Sequence, residues 1–203
     1  MSFVIHDAQL PATLTSEPMT DDQFAAFCAE HPDLSFEMTA EGEIIIMAPA
    51  YSLTGARNTV IGTQLQIWAW KDGQGITCDS SAGFVLPNGA RRSPDASWTL
   101  KSRVQQHVRA DRKGFWHLCP EFVIELRSDT DRLKPLQTQN KMREYMANGA
   151  QLGWLIDPEN HSVEIYRAYG AVELRKGLSK IEGEGPVAGF VLELALVWNP
   201  LGE

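Results

Sequence analysis

The sequence predicts an α/β fold with a mixed β-sheet at its centre. Short apolar runs typical of strands are interleaved with two long stretches in which apolar residues recur at helical spacing. Several of the strands are separated only by turns, which indicates antiparallel pairs. One run, residues 122–126, is almost continuously apolar, as in a buried central strand. We therefore expect a central mixed sheet flanked by two main helices, with an N-terminal helix and a β-hairpin.

The first elements predicted along the chain are a helix and the hairpin. Thr20 is followed three residues later by Gln23, which is a capping-box pattern and predicts a helix over about residues 21–30. Strand patterns then cover residues 34–38 and 43–48. Gly42 lies in the short turn between them, so the two strands should form a hairpin.

A long helix and three short strands are predicted next. Thr54 is the expected N-cap, the helix runs to about residue 71, and Gly73 ends it. Strand patterns follow at residues 76–78, 83–86 and 95–100. Residues 101–120 are polar and predict no regular structure.

The second half of the chain continues the alternation of strands and helices. Its predicted elements are a strand at 122–126, a helix at 133–148 capped by Gly149, a strand at 152–156, outer strands at 162–166 and 172–174, and an apolar tail at 189–197 that packs back on the core. For the domain organisation, we expect an N-terminal arm at 1–19, a single domain at 20–198 and a short tail at 199–203.

Composition excludes several classes of protein. The 203 residues are 43% hydrophobic and 22% charged, which is typical of a globular chain. No uncharged apolar run reaches the roughly 18 residues of a membrane helix, and the N-terminus has no basic, apolar leader. Cys28, Cys78 and Cys119 are odd in number and widely spaced, which favours a cytoplasmic location over a disulfide scaffold.

Charge is distributed unevenly along the chain. The formal net charge is −8, and residues 1–56 contain nine acidic residues and no Lys or Arg. Residues 91–113 are in contrast basic, so they are either a solvated surface loop or a local anion-binding face. The basic residues of this segment are Arg91, Arg92, Lys101, Arg103, Arg109, Arg112 and Lys113.

Common catalytic and nucleotide-binding motifs do not occur. The sequence has no GxxxxGK[ST], GxGxxG, HExxH or GxSxG pattern, so no nucleotide cofactor is expected. His117 and Cys119 have no second pair of ligands to complete a zinc site.

What remains is a pair of carboxylates on predicted strands. Glu125 interrupts the apolar run, and a buried carboxylate is unfavourable unless a cation or hydrogen bonds compensate it. Asp95 begins another strand, and Arg127 shares a face with Glu125 by strand alternation. Glu125 and Arg127 could simply pair to hold the sheet together. Alternatively, Asp95 and Glu125 ligate Mg²⁺ (or Mn²⁺), which prefers such oxygen ligands, and Arg127 binds an anion.

An ordered series of segments resembles the Uma-type putative restriction endonuclease family, which is part of the PD-(D/E)xK nuclease superfamily. The likeness extends over about residues 20–196. The segments are RSPD at 92–95, CPEFVIELRS at 119–128, KMREY at 141–145 and NGAQLGWLIDP at 148–158, preceded by similar stretches at 36–49, 54–58 and 86–90. The resemblance implies a restriction-endonuclease-like core.

The resemblance also implies roles for individual residues. Asp95 and Glu125 match the motif acids, and Glu37 would be a third acid and metal ligand from the N-terminal segment. Arg127 stands where the superfamily has Lys, and an arginine cannot act as a general base. Lys141 on the following helix is a candidate for the displaced lysine, and Gln139 is the competing candidate.

The function that follows is metal-dependent endonuclease activity on DNA, with Glu37, Asp95, Glu125, Arg127 and Lys141 in the active site. Arg91, Arg92, Lys101 and Arg103 would contact the DNA backbone. The alternative is a catalytically inactive nuclease-fold protein that binds nucleic acid or a protein partner. A glycosidase is disfavoured because the Trp residues are dispersed. A homodimer is plausible from the apolar tail, and no membrane association is expected.

Overall fold

The structure, a computed structural model, describes residues 12–15, 19–47, 50–107, 114–128 and 135–202. The helices and strands within these ranges are β1 Ala12–Thr15, α1 Asp21–Glu30, β2 Ser35–Met38, β3 Glu43–Met47, α2 Ser52–Asp72, β4 Gly75–Asp79, β5 Phe84–Val85, β6 Arg91–Arg92, β7 Ala96–Leu100, α3 Lys101–His107, β8 Phe122–Leu126, α4 Pro135–Ala147, β9 Leu152–Asp157, β10 Ser162–Arg167, β11 Glu173–Lys176, β12 Lys180–Glu182, β13 Val191–Glu193 and α5 Ala195–Trp198.

The central sheet is mixed, as predicted. It has six strands in the order β11-β10-β9-β8-β7-β4. β8 and β9 run parallel, with Phe122 opposite Leu152, and the other neighbours are antiparallel. A parallel pair needs a crossover connection, which here contains α4. The strand predictions at 122–126, 152–156 and 162–166 are therefore confirmed.

Side chains alternate along β8, so one face of the strand packs against α2 and the other against α4. Phe122, Ile124 and Leu126 belong to a core cluster with α2, whose apolar stripe includes the fully buried Ile61 and Leu65. The C-terminal segment 187–197 packs into the same cluster, so the prediction that the tail folds back on the core is confirmed.

The opposite face of β8 packs against α4. Val123 lies in a second core cluster with Met142 and Tyr145 of α4 and Leu155 of β9. Glu125, two residues after Val123, projects from the same face. The carboxylate of Glu125 therefore lies between β8 and α4.

A second, five-stranded sheet is built around the N-terminal hairpin. Its order is β1-β3-β2-β6-β5, and all its pairs are antiparallel. The capping box of Thr20 and Gln23 is present, which confirms the start of α1. Phe24 of α1 is buried on this sheet. Met38 at the end of β2 pairs with Arg91 of β6, which brings the hairpin next to the segment leading into β7.

Three sequence-based expectations differ from the structure. α2 begins at Ser52 rather than after Thr54, and its N-cap, Tyr51, provides no side-chain hydrogen bond. Residues 101–107 form α3, whose seven residues include one buried side chain, Val104, and are too few to show helical periodicity. β6 and β12 were not predicted; β6 consists of two arginines and β12 of one buried Ile181 between two charged residues, so neither has an apolar run. Gly73 does end α2, in a left-handed conformation with φ 74°.

Other expectations concern the ends of the chain and the basic segment. Most of the predicted arm lies outside the described residues, although β1 pairs with β3. Arg109, Arg112 and Lys113 also lie outside them, and the division into arm, domain and tail stays a prediction. No helix within the described ranges is long and apolar enough to cross a membrane.

Candidate active site

A cleft of about 1170 Å³ lies where the two sheets approach each other. The hairpin strands line one side, and the start of β7, the end of β8 and one face of α4 line the other. Its polar lining residues include four of the five predicted catalytic residues, namely Glu37, Asp95, Glu125 and Lys141, together with the predicted nucleic-acid contact Arg92.

Glu125 lies at the base of this cleft. Its side chain is almost fully buried, and Oε1 accepts hydrogen bonds from Lys141 Nζ at 2.7 Å and from the Tyr145 hydroxyl at 3.0 Å. Within the described parts of the chain, no group donates to Oε2. Both donors to Oε1 come from α4, four residues apart and therefore on one face of the helix.

Glu37 approaches the same lysine from β2. Its carboxylate lies 2.6 Å from Lys141 Nζ and 3.1 Å from the Arg92 guanidinium, and it accepts the Ser93 backbone N–H at 3.0 Å. The ammonium of Lys141 thus lies between Glu37 and Glu125. Glu37, which is distant in the sequence, is brought to the site by the pairing of β2 with β6.

Asp95 is held beside the last residues of β8. Oδ2 accepts the Leu126 backbone N–H at 2.7 Å, and Oδ1 accepts Nδ2 of Asn58 at 3.0 Å. Because Leu126 directly follows Glu125, this hydrogen bond places Asp95 next to Glu125, the other acid predicted for the motif. Asn58 also lines the cleft, and its own Oδ1 is buried without a hydrogen-bond partner among the residues that the structure describes.

The carboxylates outnumber the cations near Glu125. Burial raises the pKa of Glu125, Lys141 opposes this effect, and Asp95 and Glu37 reinforce it, so that the pKa reaches about 8. Burial also acts to raise the pKa of Glu37, but Lys141 and Arg92 outweigh it and the net shift is downward. One carboxylate is therefore well compensated and the other is not.

Lys141 stays charged in this arrangement. Burial disfavours the ammonium, but Glu125 and Glu37 outweigh burial and raise the pKa of Lys141. Its contacts with the two carboxylates therefore favour the ammonium form of Lys141. Gln139, the competing candidate, faces away and donates to both carboxylate oxygens of Glu164 at 3.0 Å.

Arg127 occupies a different environment. Its guanidinium pairs with Asp157 at 3.2 Å and with Glu164 at 3.4 Å, beyond the ends of β8 and β9. It is not among the residues that line the cleft. The ion pairs of Arg127 are therefore with these two acids rather than with Glu125.

The predicted nucleic-acid contacts all have partners within the protein. Arg91 and Arg92 are only 6% and 7% exposed and pair with Asp21 and with Glu37 and Glu144, respectively. Lys101 is exposed and donates to a backbone carbonyl. The side chain of Arg103, 33% exposed, pairs with Glu121. That these four residues contact nucleic acid stays a prediction.

Sequence reasoning gave no role to Tyr145 and did not include Asn58 among the site residues. Tyr145 is four residues after Lys141, and this helical spacing was the available signal. Asn58 lies three residues before the buried Ile61, so it had to face the sheet. Among the described residues, no three His, Cys, Asp or Glu side chains are grouped closely enough to hold a metal ion. Lys141 is the cation that joins Glu37 to Glu125 here.

Comparisons with known proteins agree with this architecture. A model of the Uma2 family, described as "Putative restriction endonuclease", matches residues 21–195. Among solved structures, the chain is similar to "a putative nuclease belonging to DUF820 from Anabaena variabilis ATCC 29413", with a TM-score of 0.70 and 19% identity over 89% of this chain and 98% of that chain. This likeness confirms the restriction-endonuclease-like fold predicted from the sequence. None of the curated proteins compared with the chain matches it.

Proposed function

The chain belongs to the Uma2 family of putative restriction endonucleases, and we propose that it is a Mg²⁺-dependent endonuclease that hydrolyses phosphodiester bonds in DNA. The observation that carries the proposal is the convergence of Glu37, Asp95, Glu125 and Lys141 at one end of a large cleft. These residues come from β2, the start of β7, β8 and α4. A stabilising ion pair needs only two of them.

The oxygen atoms of the adjacent Asp95 and Glu125 carboxylates are of the type that a hard divalent cation prefers. Asp95 and Glu125 provide carboxylate oxygens, which Mg²⁺ and Mn²⁺ prefer, and Oε2 of Glu125 has no donor among the described residues. Burial, reinforced by Asp95 and Glu37, raises the pKa of Glu125, and Lys141 does not cancel this effect, so a bound cation would favour the ionised carboxylate. Asp95 and Glu125 would hold the ion, with Glu37 as the third candidate ligand. When bound, the ion lowers the pKa of a water molecule and neutralises charge on the phosphate.

Lys141 supplies the positive charge that the protein itself brings to the reaction. Its ammonium can contact a phosphate oxygen and stabilise the charge that develops there. Glu37 holds this ammonium in place at 2.6 Å. Lys141 takes this role in preference to Arg127, because Arg127 is bound to Asp157 and Glu164 outside the cleft.

DNA would be held mainly by contacts to its phosphates, which position a duplex without reading its sequence. Of the four basic residues predicted for this role, Arg91 and Arg92 are buried, whereas Lys101 and Arg103 are accessible but follow the end of β7 away from Asp95 and do not line the cleft. Arg91 and Arg92 would instead have a structural role, since Arg91 pairs with Asp21 and Arg92 pairs with Glu37 of the site.

Cleavage of supercoiled plasmid and of single-stranded DNA, in Mg²⁺, Mn²⁺ or EDTA, tests the proposal. Asp95→Asn is the informative variant, because it keeps the shape of the side chain and removes its charge. Asp72→Asn is the matched control, since Asp72 is the last residue of α2 and does not line the cleft. We expect metal-dependent cleavage by the wild type and by Asp72→Asn, and none by Asp95→Asn.

Two other results would contradict the proposal. Cleavage by Asp95→Asn at the wild-type rate would mean that the carboxylate of Asp95 is not required for the reaction. No cleavage by the wild type, together with salt-dependent DNA binding, would instead support the catalytically inactive binding protein.

A further inference from the structure

Tyr145 is a fully buried residue of α4 whose hydroxyl reaches the candidate active site. Its ring lies in the core cluster with Met142, Val123 and Leu155. Its hydroxyl donates to Oε1 of Glu125 at 3.0 Å. The ring therefore packs in the core, whereas the hydroxyl contacts Glu125, whose carboxylate lines the cleft.

The hydrogen bond determines which oxygen of Glu125 is occupied. Lys141 and Tyr145 both donate to Oε1, and no described group donates to Oε2. The last torsion of a glutamate side chain is broad and roughly two-fold, so an unrestrained carboxylate rotates. Two donors on one oxygen fix the plane of the carboxylate and leave Oε2 as the oxygen available to a ligand.

We propose that Tyr145 is a positioning residue for Glu125, whose hydroxyl orients the carboxylate so that Oε2 can bind a divalent cation. This inference rests on the proposed function, since it assigns the cation to Glu125. Groups that orient a metal ligand in this way commonly change metal affinity by about 10- to 100-fold when they are removed.

Lys141 alone is not sufficient for this orientation. Its ammonium is shared between Glu125 at 2.7 Å, Glu37 at 2.6 Å and the Ser93 carbonyl at 3.3 Å. If it moves towards a bound phosphate, it no longer restrains Glu125. The Tyr145 hydroxyl has one partner in the site and a fixed ring, so it can hold the carboxylate while Lys141 moves.

The chain contains a matched control for this hydrogen bond. Tyr166 of β10 is also buried, and its hydroxyl donates to Oε2 of Glu164 at 2.7 Å. Glu164 does not line the cleft. The same chemical contact, a phenol donating to a glutamate, thus occurs once in the site and once outside it.

The experiment is Mn²⁺ binding by isothermal titration calorimetry to the wild type, Tyr145→Phe and Tyr166→Phe, with circular dichroism to check folding. Phenylalanine keeps the ring and removes only the hydroxyl. We expect Tyr145→Phe to bind Mn²⁺ about 10-fold more weakly and Tyr166→Phe to bind it as tightly as the wild type.

Several results would overturn the inference. One is an unchanged Mn²⁺ affinity in Tyr145→Phe, and another is an equal loss of affinity in both variants. Loss of folded structure in Tyr145→Phe alone would assign the hydroxyl a structural role. If the wild type binds no Mn²⁺, the proposed function fails and this inference fails with it. If the wild type binds Mn²⁺, only the comparison of the two variants decides.

Discussion

Glu125 on β8 and Arg127, just after the end of β8, belong to two polar clusters, and in each cluster one cation lies between two acids. In the Glu125 cluster, Lys141 lies between Glu125 and Glu37, and Tyr145 donates to Glu125. In the Arg127 cluster, Arg127 lies between Asp157 and Glu164, and Tyr166 donates to Glu164. The residue types match closely, but only the first cluster lines the cleft.

The balance of charge separates the two clusters. Burial raises the pKa of Glu125 to about 8, because Asp95 and Glu37 add to the burial effect and Lys141 does not cancel it. Burial also acts on Asp157, but hydrogen bonds from Asn160 and Arg127 outweigh it and lower the pKa. The Arg127 cluster is therefore compensated within the protein, which is typical of a structural role. In the Glu125 cluster, Asp95 is a third acid near Lys141 and the pKa of Glu125 stays high, as expected of a carboxylate that a bound cation would ionise.

The largest expected effect comes from neutralising one glutamate in each cluster. Glu125→Gln should reduce plasmid cleavage by more than about 100-fold, because even changes outside the first coordination sphere reduce metal affinity or activity by roughly 10- to 100-fold. Glu164→Gln should leave cleavage unchanged. Initial cleavage rates of the two variants, after a check of folding by circular dichroism, measure the difference. Equal losses in both variants would mean that the two clusters do not differ in function.

Removing the cation of the Glu125 cluster should have the next largest effect. In Lys141→Met, Glu37 and Glu125 face each other without the ammonium, and breaking a buried ion pair in this way costs about 3–5 kcal/mol of stability. Urea unfolding in EDTA and in Mn²⁺ measures this loss. We expect Mn²⁺ to restore more stability to Lys141→Met than to the wild type, because the ion can take over the charge of the lysine. Equal stabilisation of both proteins by Mn²⁺ would argue against a cation site at Glu125.

A conservative change in the Arg127 cluster should have a smaller effect, confined to stability. Arg127→Lys replaces a fork that reaches both Asp157 and Glu164 with a single ammonium. Loss of one such charged hydrogen bond should lower stability by about 1.5–3 kcal/mol. Urea unfolding measures this change, and cleavage by the folded variant should equal that of the wild type. A large change in cleavage with little change in stability would place Arg127 in the reaction.

The two clusters also show which features of the structure could be predicted from the sequence and which could not. The strand at 122–126 and the burial of Glu125 followed from a single apolar run, and the restriction-endonuclease-like fold followed from the ordered motifs. The partner of Arg127 could not be predicted, because strand alternation gives the face of a side chain and not its neighbour. Asp157 and Glu164 reach Arg127 only through the pairing of β8, β9 and β10.

Long-range pairing limited the prediction of the site in the same way. Glu37 was identified by resemblance, but its contact with Lys141 depends on the pairing of β2 with β6, and β6, which consists of two arginines, has no apolar run to predict it. The choice between Lys141 and Gln139 depended on the rotation of α4. The burial of Met142 and Tyr145 against β8 determines that rotation.

The last expected effect is on the pH dependence of stability and not on cleavage, and its sign is opposite in the two clusters. An unfolded glutamate has a pKa of roughly 4.3, whereas the pKa of Glu125 in the folded protein is about 8. Between these two pH values, Glu125 binds a proton in the folded state only. Its contribution to stability therefore falls as pH rises through this range. The stability of Glu125→Gln relative to the wild type should accordingly increase from pH 4 to pH 8.

Asp157 should behave in the opposite way. Its folded pKa is lowered, so its contribution is present above the unfolded aspartate value of roughly 3.9 and is lost as pH falls through the folded pKa. Asp157→Asn should thus be less stable than the wild type at neutral pH, and the difference should shrink under acidic conditions. Urea unfolding of the three proteins in EDTA from pH 3 to pH 8 measures both trends. The contrary result is that the stabilities of Glu125→Gln and Asp157→Asn, each relative to the wild type, change over the same pH range. The two clusters would then have the same charge balance. The electrostatic reason for assigning the cation to the Glu125 cluster would be lost.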